Sequence, residues 1–294
     1  MRRRYKIMLG VAGFLAVGIA GLAGFAHWGS ARKMQRVVQV AVAPVDIPTE
    51  AAALARGKYL YESRGCTDCH ARDGAGRTFI DDGALLVRGP NVTTGGSTAD
   101  YDSADWVRSI RHGIAPNGRP LLIMPSEDYN RMTDADLGAM IAYIRSLPRQ
   151  PGDGRDIRLP LPVQFAYAAG IMRDASEKID HSLPPAQPVP VGDIRATGAY
   201  VANMCMGCHG EAFTGGKIPG APPDWPAASN LTPVQGGVMQ RYRDAAMFAA
   251  MLRSGKRPDG SAIKVMPFES LGELDDGEIV ALYAYLTGLP PTGK

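Results

Sequence analysis

All four cysteines of the 294-residue chain fall in two short strings, Cys66-Thr67-Asp68-Cys69-His70 and Cys205-Met206-Gly207-Cys208-His209. In a Cys-x-x-Cys-His run two thiols can add to the vinyl groups of a haem, while the adjacent imidazole turns toward the iron as an axial ligand. Zinc sites and thiol-disulfide redox pairs also use Cys-x-x-Cys. Here both copies place His directly after the second Cys, and together they leave no thiol for a disulfide. The reading is two covalent haem c groups, one on Cys66 and Cys69 and one on Cys205 and Cys208, with His70 and His209 as iron ligands.

A second axial ligand must come from the thirteen methionines or the three other histidines. His27, His112 and His181 have no counterpart in a second copy of anything. Met124 and Met266 do, each followed by Pro, 54 residues beyond His70 and 57 beyond His209. A lone Met is usually core filler, but recurrence in register makes Met124 and Met266 the expected sixth ligands. A thioether favours ferrous iron relative to imidazole and fills the coordination sphere. No position is then open to oxygen or peroxide, so the ligand set points to electron transfer and away from a dihaem peroxidase. A thiosulfate-oxidising dihaem enzyme would need a fifth Cys as iron ligand. A haem subunit of a terminal oxidase stays open as an alternative, because docking surfaces leave no local motif.

The elements that hold these residues are repeated with them. Asn91-Val92-Thr93 recurs as Asn230-Leu231-Thr232 at the 139-residue offset of the Cys strings. After a three-residue insertion the offset becomes 142 and pairs Trp106 with Phe248, Arg111 with Arg253, Gly113 with Gly255, and Met124-Pro125 with Met266-Pro267. The Asn-x-Thr segments are expected to fold a loop by side-chain to backbone bonds, and Trp106 and Phe248 to pack on the porphyrin or core. Thr133 with Asp136, and Asp275 with Glu278, have N-cap and N3 spacing ahead of one-faced apolar helices that Pro148 and Pro290 terminate. Shorter helices should lead into Cys66 and Cys205. With 35 Gly and 23 Pro the pattern is short helices joined by long loops, without a large sheet. The fold class is all-α, with two tandem domains.

The domains are bounded as follows: 1–28 anchor, 29–48 tether, 49–149 first domain, 150–192 Pro-rich linker, and 193–291 second domain. Ile7 to Ala26 is twenty residues without a charge, about 30 Å of helix and enough to span hydrocarbon. Its length favours an anchor over a signal peptide, although Gly24-Phe25-Ala26 fits a small-x-small cleavage site. Arg2, Arg3, Arg4 and Lys6 put the N-terminus on the cytoplasmic side of a bacterial inner membrane, with the domains in the periplasm; Arg32, Lys33 and Arg36 reduce that asymmetry. Without the four leading cations the formal charge of +3 becomes −1, so the basic balance reports targeting, and no nucleic acid partner is expected. Within the linker, Val163 to Met172 is apolar enough for a short helix, expected in the seam between the domains, clamping them at a distance suited to direct electron tunnelling.

These residues resemble the class I cytochrome c fold, and more closely the membrane-bound cytochrome c subunits of periplasmic dehydrogenases that oxidise alcohols, gluconate or aldehydes. The likeness covers residues 50 to 290 and rests on the Cys strings, Gly89-Pro90-Asn91-Val92-Thr93, Met124-Pro125, and the closing Ala142-Tyr143-Ile144-Arg145-Ser146-Leu147-Pro148 run with its second-half counterpart. It implies a carrier, not an enzyme, that receives electrons from a flavin, quinoprotein or molybdenum subunit and passes them to quinone or an oxidase. Those subunits typically carry three Cys-x-x-Cys-His motifs, and this chain has two.

Overall fold

The computed structural model describes residues 2–218, 221–222 and 224–293. With no proline before Pro44, α1 (Arg2–Met34) runs past the apolar stretch instead of stopping at residue 28, and its length and composition are those of a membrane span. The segment assigned as a tether is therefore shorter, and it is packed. Val38 N–H donates to Gly118 O (2.9 Å), and Ser103 Oγ accepts from Val45 N–H (3.0 Å) and donates to Val45 O (2.6 Å), so the chain crosses the first domain as an extended strap with Val45 buried.

The first domain is built from α2 (Ala51–Ser63), α3 (Cys66–His70), α4 (Ser103–His112) and α5 (Asp134–Ser146). Thr133 Oγ1 caps α5 by accepting from Asp136 N–H (3.1 Å), as its spacing predicts. Helices α2 and α5 cross at Gly57, where a Cβ would stand 2.0 Å from Ala139 O. Leu60, Tyr61, Trp106, Ile110, Met140 and Ile141 fill the core around the crossing.

A strand pair, β1 (Thr78–Asp81) and β2 (Leu86–Arg88), is joined by β3 (Asp156–Arg158) from the linker to give a small antiparallel sheet. The linker continues through α6 (Leu161–Ala168) and α7 (Ala175–Lys178). The second domain repeats the first with α8 (Ile194–Ala202), α9 (Met206–His209), α10 (Ala245–Ser254), α11 (Phe268–Leu271) and α12 (Asp276–Thr287). Here α8 and α12 cross at Gly198, 2.1 Å by the same measure from Ala281 O. Asp275 caps α12 from Glu278 N–H (2.7 Å).

The linker helix does not sit between the domains. It packs along the C-terminal end of α1, where a Cβ on Gly29 would meet Ala168 Cβ at 2.9 Å and Phe25 meets Phe165 edge to face. The domains hold each other directly, by contacts that are reciprocal, as a local two-fold requires. Tyr59 Oη donates to Glu278 Oε2 (2.7 Å) and accepts from Asp275 N–H (3.1 Å); Tyr200 Oη donates to Asp136 Oδ2 (2.8 Å) and accepts from Thr133 N–H (3.2 Å). Buried Arg64 pairs with Glu278 at 2.7 Å. Burial alone would lower the Arg64 pKa, and the Glu278 carboxylate overrides it and raises it.

Candidate haem sites

Each Cys string is a single helical turn or little more, delivered by the helix before it. In the first half Gly65 at φ 85° ends the run of α2 and opens α3; in the second half a 3-10 turn, Asn203–Cys205, connects α8 to α9 without a break. Two residues more separate Gly57 from Cys66 than Gly198 from Cys205, and this break absorbs them. All four thiols are free. Three positions apart, with two residues between them, Cys66 and Cys69, and likewise Cys205 and Cys208, lie one above the other on one helix face. Burial and the neighbouring thiol and carboxylate raise Cys66 to about 12, keeping it neutral; burial and Asp68 do the same to Cys69, and burial and Asp128 to Cys205.

Both histidines are fixed by a backbone carbonyl. His70 Nδ1–H donates to Pro90 O (2.9 Å) and His209 Nδ1–H to Ser229 O (2.7 Å), positions 139 apart. This bond assigns the tautomer and leaves each Nε2 with its lone pair free, the arrangement a metal-binding imidazole needs. Burial lowers the pKa of both rings, which favours the neutral form. Sequence reasoning had Pro90 in a motif but missed the role of its carbonyl. The one available signal was position, immediately before the Asn-x-Thr in both halves.

The backbone is tightly stacked behind the first turn. A Cβ on Gly89 would stand 2.1 Å from Cys69 O, and Arg77 N–H donates to Cys69 O (2.9 Å). Directly after the histidines, Ala71 (φ 61°, ψ 167°) and Gly210 (φ 77°, ψ 161°) take the same backbone conformation, one essentially reserved for glycine.

The two methionines occupy identical turns. Pro125 (φ −81°, ψ 62°) and Pro267 (φ −78°, ψ 65°) form inverse γ-turns in which Ser126 N–H reaches Met124 O and Phe268 N–H reaches Met266 O, both at 2.9 Å. Met124 and Cys66 pack on the core of the first domain, and Met266 and Cys205 on that of the second. The Asn-x-Thr segments make the expected turns: Asn91 Oδ1 accepts from Thr93 N–H (2.9 Å) and Asn230 Oδ1 from Thr232 N–H (2.8 Å). Their amides also hold the chain that leaves each closing helix, Asn91 Nδ2 at Gly152 O (2.7 Å) and Asn230 Nδ2 at Thr292 O (2.8 Å). His112 and His181, unmatched in the repeat, face each other through their Nδ1 atoms at 3.0 Å.

Haem c fits this donor set. Besides the paired thiols and the free Nε2 atoms, Trp106 is in the core as expected, but its Nε1–H is buried without a partner. An unsatisfied buried donor costs about 1–3 kcal/mol, and a haem propionate is an acceptor of the right charge. Phe248, its counterpart, has no such donor.

Each half is thus a cytochrome c domain, and the chain is one that carries covalently bound haem c with its iron. Residues 52–144 and 192–286 both match the model of the family described as cytochrome c oxidase, cbb3-type, subunit III, and the chain belongs to that family. It is also similar to the gluconate 2-dehydrogenase cytochrome c subunit of Pantoea cypripedii (27% identical, 81% of this chain and 60% of that protein). Similarity extends to the fructose dehydrogenase cytochrome subunit of Gluconobacter japonicus (28%, 83% and 54%) and the alcohol dehydrogenase (quinone) cytochrome c subunit of Gluconacetobacter polyoxogenes (26%, 82% and 57%). The chain spans little more than half the length of these relatives.

Proposed function

We propose that the chain is a dihaem electron carrier, held by α1 in a bacterial inner membrane with its domains in the periplasm. It takes electrons from a periplasmic dehydrogenase subunit and hands them to a respiratory-chain acceptor, whether quinone, cytochrome or terminal oxidase. The observation that carries this reading is the duplication of one complete site: paired free thiols, a His whose Nδ1 is tied to a carbonyl at the same position, and a Met on the same γ-turn.

Cys66 and Cys69 hold one haem as thioethers, Cys205 and Cys208 the other. His70 with Met124, and His209 with Met266, would hold the two irons. Bound there, haem c supplies a one-electron ferric/ferrous couple at a potential raised by the thioether. The carbonyls of Pro90 and Ser229 keep each imidazole in one tautomer, and a methionine supplied as second ligand would leave no position for water or oxygen. The attachment turns are each bonded to the other domain. Asp128 Oδ1 accepts from Gly207 N–H (2.6 Å), and Ser270 Oγ donates to Asp68 Oδ2 (3.0 Å). That mutual contact supports electron exchange between the two sites within one chain.

The printed names of relatives that cover more than four-fifths of the chain favour a dehydrogenase as donor. The family description favours the second reading, a haem subunit of an oxidase. Anaerobic reduction of the purified cytochrome by a substrate-charged membrane dehydrogenase tests the first; oxidation by a terminal oxidase with no reduction by any dehydrogenase would establish the second. Mass spectrometry of the denatured chain should show two haem additions, and one addition, or zinc at either string, refutes the dihaem assignment.

A further inference from the structure

We infer that α6 is a second membrane contact, an apolar helix lying in the headgroup region of the bilayer that α1 crosses. The inference rests on reading α1 as a span. Four observations carry it. First, α6 is fixed to α1 at a defined depth. Phe165 stacks edge to face on Phe25 at 5.8 Å between centroids, and Phe25 belongs to the last turn of the uncharged stretch. Gly29 meets Ala168 with no room for a side chain between them, and Lys33 Nζ donates to Tyr167 O (3.2 Å). From Phe25 to Lys33 α1 rises about 12 Å, so α6 occupies the zone from the hydrocarbon edge outward.

Second, the mounting is rigid. Arg36 pairs with fully buried Asp174 (2.8 Å), and Lys33 with Glu177 (2.8 Å). The cations that follow the span dock the linker against it.

Third, α6 and the turn after it expose apolar side chains, Leu161 at 51%, Phe165 at 37% and Ile171 at 63%, and Trp28 of α1 is exposed at 63%. In water that is an unfavourable surface; at the depth imposed by Phe25 it continues the apolar surface of the span. Fourth, exposed Arg173 follows the segment and Arg32 stacks over Trp28, which suits a phospholipid surface with anionic headgroups. The occupant is therefore lipid.

The test uses the full-length holoprotein in nanodiscs of phosphatidylcholine and phosphatidylglycerol, with a trace of phosphatidylcholine bearing a diazirine high on one acyl chain. After irradiation, trypsin releases residues 7–32 and 159–173 as separate peptides. Lipid adducts are expected on both, and L161E/I171E should lose at least ten-fold of those on 159–173 while keeping its haem content and the adducts on 7–32. Adducts confined to 7–32 overturn the inference and leave the span intact, and they are also the outcome if protein covers this face. Equal labelling of the variant assigns the contact to other residues and overturns it too. No adducts on either peptide reject the span and this inference together.

Discussion

At the scale of single residues, the methionines are the sharpest point of test. Imidazole favours ferric iron relative to thioether, so M124H and M266H should each lower the potential of one haem and leave the other in place. The weak far-red ferric band of iron–sulfur ligation should fall by half in each single variant and vanish in the double. An unchanged spectrum and potential would return that Met to the core. Ala71, next to His70, offers a stability test. It holds a glycine-only conformation (φ 61°) that Gly210 adopts in the second half. Strain there is on the order of 1–3 kcal/mol, and Gly gives back part of the relief as unfolded-state entropy. A71G should therefore stabilise the holoprotein by about 1 kcal/mol in urea denaturation, and G210A should destabilise it by a similar amount, since nothing within 4 Å blocks the added methyl and only the backbone objects. The site was legible at this scale wherever chemistry depends on side-chain type: the thiols, imidazoles and thioethers stand in register along the chain. The carbonyls of Pro90 and Ser229 were not, because every residue has one and only folding says where it points.

At the scale of elements, the two helix crossings decide whether a domain closes. A methyl added to Gly198 would stand 2.1 Å from Ala281 O and 2.6 Å from Tyr285 Cβ, so α8 and α12 must move apart. Overpacking of this kind typically costs about 1–3 kcal/mol. G198A should show that loss in denaturation and a lowered yield of doubly haem-loaded protein, whereas the same change at exposed Gly236 would report only the strain of its positive φ. The closing helices were readable because cap and apolar face are both local patterns: Thr133 and Asp275 cap as their spacing indicates. The linker helix was readable as a helix but not in its partner. Apolarity says that a surface will be covered, and α1 competed for it with the seam. Nothing local marked the strap at 36–48 either, since its bonds are to residues 103 and 118, far along the chain.

For the whole molecule, the seam between domains is polar and ionic, and acid should find it. Burial pushes the Asp136 pKa up, but the bidentate Arg56 guanidinium at 2.9 Å and the Tyr200 hydroxyl outweigh it, and the carboxyl titrates below its ordinary value. A depressed folded pKa contributes stability that is complete above the unfolded value of about 4 and is lost as pH falls through the folded one. The stability difference between the native chain and D136N should accordingly be largest at neutral pH and shrink below about pH 4, as read by urea denaturation at each pH. A difference that does not vary with pH would mean that Asp136 acts through shape alone. The reciprocal tyrosines bear on something other than stability. Because Tyr59 reaches the start of α12 and Tyr200 reaches the start of α5, the surface each domain presents is the surface it binds. A self-matching surface of this kind needs only one kind of subunit. Half of this chain, as a separate polypeptide, already carries both sides of a homodimer contact. Joining two such surfaces by a linker turns a concentration-dependent encounter into an intramolecular one, and it lets the two copies differ, as Trp106 and Phe248 do.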